Sequence, residues 1–379
     1  MVGTEDGPRL LHVYGLTPCG TSHFAKVGTA LEIFEAIAKH EHDELVFWSD
    51  VSAGYRGLIA IHDTTLGPAL GGIRFWDYPS EAEAIIDVLR LARGMTYKAA
   101  ITGLALGGGK SVIVGDNHTT DREAIFRAHG RAIESLGGRY IAAEDVGTSV
   151  DDMEYVHGET QWVAGLRGGS GDPSPITAFG VYRGIKACAR FRYGDDSLEG
   201  KHVVVQGLGH VGYHLCKLLD VEGARLSVSD IEEDRVRKAV TEFGAMAVAA
   251  DEVYGVAADI FAPCAMGAVI NDDTVGMLKV DIVAGSANNQ LAETRHGQAL
   301  HERGIVYAPD YVINAGGLCN VYGELQGWTA EQSREKAGGI YDNLLQTLEH
   351  AKEEDIPTNQ AADRVARQRL HEAGRARHP

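Results

Sequence analysis

The architecture of this chain follows from one segment, Val203-Val204-Val205-Gln206-Gly207-Leu208-Gly209-His210-Val211-Gly212. An apolar run, typical of a buried strand, leads directly into the spacing G-x-G-x-x-G. The first glycine permits a tight turn, the second lets the backbone approach a pyrophosphate, and the third allows close helix packing. The first amides and the dipole of the following helix favour an anion at its start. The segment therefore predicts a dinucleotide site formed by Gly207, Leu208, Gly209, His210, Val211 and Gly212.

A carboxylate follows at the expected distance. Residues 226–229 form a second strand-like run that ends in Asp230, and this fold places a ribose-binding acid about 20 residues after the glycines. Such a carboxylate accepts both ribose hydroxyls of NAD and repels the 2′-phosphate of NADP. The glycine pattern alone could mark a turn that binds no cofactor, but in this context it favours a dinucleotide, and NAD over NADP.

Strand and helix patterns alternate around this segment. Further apolar runs lie at 259–261, 281–284 and 305–307, after a long helical pattern at 175–191. Apolar strands separated by helices indicate a parallel sheet covered on both faces. We therefore predict that the second part of the chain is a doubly wound, Rossmann-like sheet.

The earlier half has a different pattern. Residues 168–173 are the strongest cluster of Gly, Pro and Ser and predict a flexible break. Before it, we predict helices at 30–39, 80–96 and 122–136 and strands at 44–48, 57–62 and 111–114. A capping box at Ser80–Glu83 marks the start of the second helix, and a further helix starts at Ser149. The fold class is thus α/β with two domains separated by a cleft: a substrate-binding, dimerisation-type domain at 1–167, to which 346–379 return, and an NAD-binding domain at 174–345.

Composition excludes several classes of protein. The formal net charge of -18 argues against nucleic acid, because a phosphate-binding surface needs a basic excess. No apolar run approaches the roughly 20 residues that span a membrane. The five cysteines are scattered, and residues 1–27 read as a loose leader without a secretory pattern. We expect a soluble cytoplasmic protein that binds neither nucleic acid nor membrane.

Two other residue types were candidates for chemistry. The spacing of His62, His157, His210 and His214 matches no metal-binding motif, which favours structural histidines and predicts no metal. Cys264 follows a strand of the cofactor domain and is better explained as a buried small residue than as a nucleophile.

Residues 102–111 contain a lysine after three glycines and resemble a phosphate-binding loop. That motif, G-x-x-x-x-G-K-[ST], requires a glycine at position 104, where this chain has Leu104; Gly103 is one residue out of register. Lys110 is therefore a candidate for other chemistry, and we expect the glycines before it to make room for a substrate.

Lys98 and Asp145 are the other candidates in this half. Each of these charges could simply be solvated. A partly buried lysine, however, loses its proton more readily and can act as a general base near neutral pH. Paired with a carboxylate such as Asp145, it would supply a base and an acid within one site.

The chain resembles the Glu/Leu/Phe/Val dehydrogenase family, from about residue 31 to about residue 369. The segments that carry the resemblance lie at 66–74, 94–98, 107–110, 143–147, 285–290 and 307–317. The resemblance implies NAD-dependent, reversible oxidative deamination of an L-amino acid to a 2-oxo acid and ammonia. It also implies a homo-oligomer, an octamer by family likeness.

The resemblance assigns roles to individual residues. Lys98 would hold the substrate α-carboxylate, Lys110 would activate water for attack on the iminium carbon, and Asp145 would exchange protons with the amine. Asn289 would position substrate and nicotinamide, and the backbone around Gly71 would help to seat the substrate. Arg74, nearby, could be a structural residue or a substrate contact.

The side-chain pocket indicates the substrate class. The glutamate enzymes of the family carry a lysine where this chain has Leu70, and Val321 occupies a second position of polar contact. Ala143 and Leu318 would complete an apolar pocket, although all four could be ordinary core residues. We expect leucine, isoleucine or valine as substrate. A valine- or phenylalanine-preferring enzyme is the alternative within the family, and a non-catalytic NAD-binding regulatory protein is the alternative of another class.

Overall fold

The computed structural model describes residues 31–169 and 171–377. The leader predicted for residues 1–27 and position 170 of the predicted break lie outside the described residues. Two separate sheets organise the described chain, one of five strands and one of six.

The first sheet is mixed and runs in the order β1-β2-β4-β3-β5. Strands β1 and β4 pair antiparallel with β2, whereas β3 pairs parallel with both β4 and β5. Its elements are α1 (Ile33–Ala38), β1 (Glu44–Asp50), a 3-10 turn (Val51–Ala53), β2 (Tyr55–Asp63), β3 (Ala69–Trp76), α2 (Glu81–Thr102), β4 (Gly107–Val114), α3 (Arg122–Glu134), β5 (Tyr140–Glu144) and α4 (Val150–His157).

The two helix starts predicted from capping patterns differ in detail. The Ser80 hydroxyl accepts a hydrogen bond from the Glu83 amide at 3.2 Å and caps α2 by this bond. At α4 the full capping box forms, since Ser149 and Asp152 each bond the other's backbone amide. In both cases a side-chain oxygen satisfies an amide that the first helical turn leaves unpaired.

Two elements extend beyond their predicted limits. Helix α2 continues past Thr96 to Thr102 and ends at Gly103, whose φ is +65°, so Lys98 lies within the helix and not at its end. Strand β4 begins at Gly107 and includes the three glycines. The predicted strand at 111–114 was too short, because glycine has low strand propensity and tertiary contacts override it here.

The second sheet is parallel and runs in the order β11-β10-β9-β6-β7-β8. The chain builds one half outward from β6 and then returns to build the other, which makes the edge between β6 and β9 the switch point where such sheets bind ligands. Its strands are β6 (His202–Gln206), β7 (Arg225–Ser229), β8 (Met246–Ala247), β9 (Ile260–Pro263), β10 (Ile282–Val283) and β11 (Val306–Tyr307). The doubly wound sheet predicted from the sequence is confirmed.

Helices cover this sheet and lead back to the first one. They are α5 (Ser174–Tyr193), α6 (His210–Val221), α7 (Glu233–Phe243), α8 (Arg295–Glu302), α9 (Asp310–Ile313), α10 (Gly316–Leu325), α11 (Ala330–Gly338), α12 (Ile340–Glu354) and α13 (Thr358–Arg377), with a 3-10 turn at Val253–Gly255. Helix α13 packs on α2, where Arg367 Nε donates to the Tyr97 hydroxyl at 2.8 Å. None of the helices in the described ranges is both long and apolar enough to cross a membrane.

Candidate active site

Lys110 and Asp145 form an ion pair on the first sheet. Lys110 lies within β4 and is only 4% exposed, whereas Asp145 is the first residue after β5. The distance from Lys110 Nζ to Asp145 Oδ2 is 2.8 Å. The two residues that the sequence selected for acid–base chemistry are therefore in direct contact.

A glycine on the strand between them allows this contact. Strand β3 lies between β4 and β5, and Gly72 occupies the position beside the pair. A Cβ atom built on Gly72 would lie 2.6 Å from Asp145 Cβ and 3.2 Å from Lys110 Nζ. Any side chain at this position would push the acid and the base apart.

The reason that glycine is required at the three positions before Lys110 differs from the predicted one. A Cβ on Gly107 would lie 2.1 Å from the Asp63 carbonyl oxygen, and one on Gly109 would lie 2.7 Å from the Tyr140 ring. A Cβ on Gly108 would lie 2.0 Å from the amide nitrogen of Thr96 in α2. The expectation that these glycines make room for a substrate was wrong, because protein atoms fill the space beside each of them.

The charges of the pair act on each other. Burial lowers the pKa of Lys110, and the attraction of Asp145 only partly opposes this. Burial by itself would raise the pKa of Asp145, but the positive charges of Lys110 and Arg74 outweigh it and bring the pKa below its usual value. The site thus holds an ionised carboxylate beside a lysine that gives up its proton more easily than one in water.

Lys98 lies on α2 near the same site. Burial lowers its pKa, and the charge of Asp310 from the other half of the chain opposes this shift. Within the described ranges Lys98 makes no ion pair, and the Asp310 carboxylate accepts hydrogen bonds from the amides of Tyr311, at 2.7 Å, and Gln290, at 3.2 Å. Lys98 is half-buried, and a partly desolvated ammonium without a paired carboxylate is suited to hold an anionic group of a ligand.

Arg74, which the sequence left undecided between a structural residue and a substrate contact, binds two carboxylates. Its Nε donates to Asp145 Oδ2 at 3.0 Å, and its Nη1 donates to Asp87 Oδ2 at 2.8 Å. The signal was present in the strand period: Arg74 follows Gly72 by two residues on β3 and therefore faces the same side of the sheet.

The apolar residues predicted to hold the substrate side chain lie together in part. Leu70 on β3 and Leu318 on α10 belong to one buried cluster, with Val321 packed at its edge. Ala143 is buried on β5 and pairs with Gly72, but it is outside this cluster. The backbone of Gly71 is fixed by a hydrogen bond, which the Tyr140 hydroxyl donates to its carbonyl oxygen at 2.7 Å.

The glycine-rich turn after β6 has the geometry of a phosphate-binding turn. Gly207 has a φ of +94°, and a Cβ on Gly212 would lie 2.0 Å from the Gly207 carbonyl oxygen. A Cβ on Gly209, by contrast, would meet no atom within 4 Å, and α6 begins at the next residue, His210. Open space in front of a helix start fits the pyrophosphate of a dinucleotide.

Asp230 also supports the turn itself. Its side chain is 6% exposed; Oδ2 accepts a hydrogen bond from the Leu208 amide at 2.6 Å and Oδ1 accepts one from the Glu232 amide at 2.8 Å. Each carboxylate oxygen has a second lone pair for a ribose hydroxyl. The exposed side chain of His210 and the half-buried Val211 complete the predicted segment.

Asn289 belongs to the second half of the chain and contacts helix α2 of the first half. Its φ is +50°, a left-handed conformation that asparagine tolerates better than most residues. Its Oδ1 accepts a hydrogen bond from Arg90 Nη1 on α2 at 3.1 Å. The residue predicted to lie near the cleft therefore bridges the two halves of the molecule.

The histidines and Cys264 occupy other settings. His62 bonds the Thr96 hydroxyl and the His40 carbonyl oxygen, and its pKa is lowered to about 3 by burial. Burial raises the pKa of the Cys264 thiol. No three His, Cys, Asp or Glu side chains of residues 31–169 and 171–377 are grouped so as to hold a metal ion.

Family models and known proteins agree with these features. The Glu/Leu/Phe/Val dehydrogenase, dimerisation domain model matches residues 45–162, and the Glutamate/Leucine/Phenylalanine/Valine dehydrogenase model matches residues 228–378. A leucine dehydrogenase of Bacillus cereus is 56% identical over 343 residues, covering 90% of this chain and 94% of that protein. A valine dehydrogenase of Streptomyces coelicolor is 47% identical, with 88% and 93% covered.

A solved structure extends the agreement to three dimensions. The L-tryptophan dehydrogenase from Nostoc punctiforme superimposes with a TM-score of 0.83 at 43% identity, covering 90% of this chain and 99% of that one. The resemblance drawn from the sequence motifs is confirmed. The chain belongs to the Glu/Leu/Phe/Val dehydrogenase family, and it is an amino-acid dehydrogenase.

Proposed function

We propose that this enzyme deaminates branched-chain aliphatic L-amino acids, leucine above all and also isoleucine and valine, to the 2-oxo acid and ammonia in a reversible reaction. Its family and its NAD dependence are established by its relatives. The substrate side chain and the roles of individual residues are our proposal. The observation that carries it is the buried pair of Lys110 and Asp145 beside the apolar cluster of Leu70 and Leu318.

In this proposal Lys98 binds the α-carboxylate of the substrate. The half-buried Lys98 makes no ion pair among the described residues, and a carboxylate ligand would supply the missing counter-charge. Gly71 lies on β3 between Leu70 and Gly72, so its backbone is at hand to seat the substrate between the acid–base pair and the apolar cluster.

Lys110 acts as the general base and Asp145 as its partner. Neutral Lys110 removes a proton from water as the water oxygen attacks the substrate carbon, and Asp145 takes up and returns a proton at the amine nitrogen that leaves as ammonia. The low exposure of Lys110 favours its neutral form. Such acid–base catalysis contributes about 10²–10⁴-fold to the rate.

When bound, NAD would supply the acceptor for the hydride of the substrate Cα. The residues proposed to hold it are Gly207, Leu208, Gly209, His210, Val211 and Gly212 at the pyrophosphate, Asp230 at the ribose, and Asn289 at the nicotinamide end. The space in front of Gly209 and the start of α6 support the first part of this assignment. The protein's own work is to orient the two reactants and to exclude bulk water.

The side-chain pocket proposed for the substrate is formed by Leu70, Ala143, Leu318 and Val321. Leu70 and Leu318 are 2% and 7% exposed. Burying a glutamate carboxylate against them without a partner would cost several kcal/mol, whereas an aliphatic chain gains from burial there. Apolar pockets separate chains that differ by one methylene by only ~1–3 kcal/mol, so activity with several branched-chain amino acids is expected.

A preference for valine or phenylalanine is the alternative. The identity to leucine dehydrogenases, 56% for the Bacillus cereus enzyme against 47% for the valine dehydrogenase, supports leucine. The presence of Lys98, Lys110 and Asp145 together speaks against a non-catalytic regulatory protein.

Three further parts of the proposal concern the whole molecule. We propose a homo-oligomer, supported by the dimerisation domain in the family description, and an octamer as its form. We divide the chain at 167 and 174 and return 346–379 to the first domain, supported by the packing of α13 on α2. A cytoplasmic location is supported by the buried free thiols of Cys188, Cys216 and Cys319.

The test is the initial rate of NADH formation with each of the twenty L-amino acids at alkaline pH, with NAD and with NADP. We expect the highest kcat/KM with leucine, isoleucine or valine and NAD, and little turnover of glutamate. Higher kcat/KM with phenylalanine or glutamate would refute the proposed pocket. No turnover with any amino acid would refute the proposed catalytic roles.

A further inference from the structure

We propose that Arg74 is a positioning residue for the acid–base pair: it holds Asp145 in place and remains as its counter-ion when Lys110 gives up its proton. This inference rests on the proposed roles of Lys110 and Asp145. It adds a third residue, which binds neither substrate nor cofactor in the proposed scheme but acts through Asp145.

Both cations contact the same oxygen of Asp145. Lys110 Nζ, at 2.8 Å, and Arg74 Nε, at 3.0 Å, both contact Oδ2. In the described part of the chain, Oδ1 accepts no hydrogen bond, and the side chain is 24% exposed. One oxygen is thus fixed by two cations, which leaves the other for the substrate amine.

Arg74 is itself held in place by neighbouring side chains. Its Nη1 donates to Asp87 Oδ2 at 2.8 Å, and the same oxygen accepts the Tyr78 hydroxyl at 2.7 Å. Arg90 Nη2 binds the other oxygen, Asp87 Oδ1, at 2.9 Å. A planar guanidinium bound to two carboxylates keeps its orientation better than a flexible ammonium.

Arg74 also supplies a counter-ion for Asp145 when Lys110 is neutral. When Lys110 is neutral, an ionised Asp145 beside it would have no counter-ion from the lysine, which is costly in a mostly buried site. Arg74 is always charged and remains in contact with the same oxygen. The arginine therefore stabilises the state of the site in which the base is ready to act.

The charged groups around Lys110 come from three elements. Arg74 lies on β3, Asp145 follows β5, and Asp87 and Lys98 lie on α2. The positive charges of Arg74 and Lys98 disfavour an ammonium at Lys110, and the two carboxylates favour it. Removing the charge of Arg74 shifts this balance towards the protonated lysine, so the base becomes active only at higher pH.

The experiment compares Arg74→Gln and Arg74→Lys in the full-length enzyme. For each variant, kcat and kcat/KM for leucine are measured at saturating NAD across the pH range in which the enzyme is stable. We expect Arg74→Gln to lower kcat at least about tenfold and to move the acidic limb of kcat/KM towards alkaline pH by about one unit. Arg74→Lys keeps the charge, so its acidic limb stays near the wild-type pH while kcat falls.

A matched control separates this role from loss of stability. Arg122 also binds an aspartate through two nitrogens, with Nε and Nη2 at 2.8 and 2.7 Å from Asp152. It makes no ion pair with Asp145, although its Nη2 also donates to the Gly147 carbonyl oxygen, in the loop after Asp145, at 2.8 Å. Arg122→Gln should lower the melting temperature and leave the acidic limb unchanged. The pH of the acidic limb is obtained from relative rates within one preparation. It therefore does not depend on the fraction of enzyme that is folded.

The outcomes are distinct. Wild-type kcat and an unshifted acidic limb in Arg74→Gln, in an enzyme that turns over leucine, would overturn the inference alone. An equal shift in Arg122→Gln would do the same. If the wild-type enzyme turned over no amino acid, the proposed function would fail first. Should Arg74→Gln give no soluble protein, Arg74→Lys decides: a lower kcat supports the positioning role, and an unchanged kcat refutes it.

Discussion

Two glycine-rich segments of this chain look alike in sequence and differ in what they face. Residues 107–109 precede Lys110 within a strand, and residues 207–212 connect a strand to a helix. Cβ atoms on Gly107, Gly108 and Gly109 would all collide with protein atoms, whereas a Cβ on Gly209 would meet nothing within 4 Å. A glycine is therefore informative about a ligand only when the space beside it is empty.

The difference extends to the chemistry of each segment. The first segment brings the backbone of β4 against α2 and the Tyr140 ring, and so fixes the position of the lysine that follows. The second presents amides and open space to a ligand. We therefore expect substitutions in the first segment to affect turnover or folding, and a substitution at Gly209 in the second to affect affinity for the cofactor.

The largest expected effect is on turnover, from Lys110→Ala. Loss of the proposed base should lower kcat by about 10²–10⁴-fold. The affinity for NADH, followed by the enhancement of nucleotide fluorescence on binding, should stay within about twofold of wild type, because the second segment is untouched. Lys110→Arg is the control that keeps the charge but cannot act as a base near neutral pH.

Turnover by Lys110→Ala at more than a tenth of the wild-type rate would remove the role assigned to this lysine. Weaker NADH binding in the same variant would show that the two segments are not independent.

The next effect is on folding, from Gly108→Ala. The added methyl group would lie 2.0 Å from the Thr96 amide nitrogen, in the middle of α2, and neither backbone can move easily. Overpacking of this kind costs about 1–3 kcal/mol. Gly209→Ala is the matched control, because its φ of -63° suits alanine and its Cβ would be unobstructed. Urea unfolding at equal protomer concentration should show a loss only for Gly108→Ala.

Gly209→Ala should instead weaken cofactor binding. The methyl group would occupy the space in front of the start of α6 and keep the pyrophosphate from the backbone amides. Loss of one or two hydrogen bonds to a charged group costs about 1.5–3 kcal/mol, which raises the Kd for NADH about 10- to 100-fold. An unchanged Kd would mean that the open space is not the pyrophosphate site.

The contrast also shows how far sequence reasoning reaches. Sequence reasoning predicted the strand, the glycine turn and the helix start of the second segment, because these and Asp230 lie within 30 residues and follow local rules. The dinucleotide site itself stays a prediction. What sequence reasoning missed there was that Asp230 also holds the Leu208 amide, which depends on the distance between two loops.

The first segment was predicted less well, because its causes are distant in sequence. The space beside Gly108 is filled by Thr96, and that beside Gly109 by Tyr140, 31 residues further on. The contact of Arg74 with Asp145 spans 71 residues. A strand pattern predicts which side of a sheet a residue faces. It does not predict which charged side chains of neighbouring strands will contact that residue.

The smallest expected effect, per pH unit, is on the free energy of unfolding in acid. It distinguishes a histidine of the first sheet's core from one in the second sheet. Behind the first segment, the fully buried ring of His129 bonds the Tyr55 and Ser111 hydroxyls at 2.7 and 2.9 Å. Burial lowers its pKa to about 3, from 6.5 in the unfolded chain. Below pH 6.5 the unfolded state binds the extra proton, so this contribution is complete above pH 6.5 and declines by about 1.4 kcal/mol per pH unit as pH falls towards 3.

His129→Gln should therefore reduce the dependence of unfolding free energy on pH by about 1.4 kcal/mol per unit below pH 6.5, even if it lowers stability at neutral pH. Urea unfolding followed by tryptophan fluorescence suits this measurement, since Trp48 and Trp76 lie in the first sheet. The matched control is His202→Gln, a half-exposed histidine that bonds the Ser227 hydroxyl in the second sheet. An equal change of slope in both variants would show that acid does not destabilise the protein specifically through His129. The ring of His202 is half-exposed, so burial cannot account for an equal effect there.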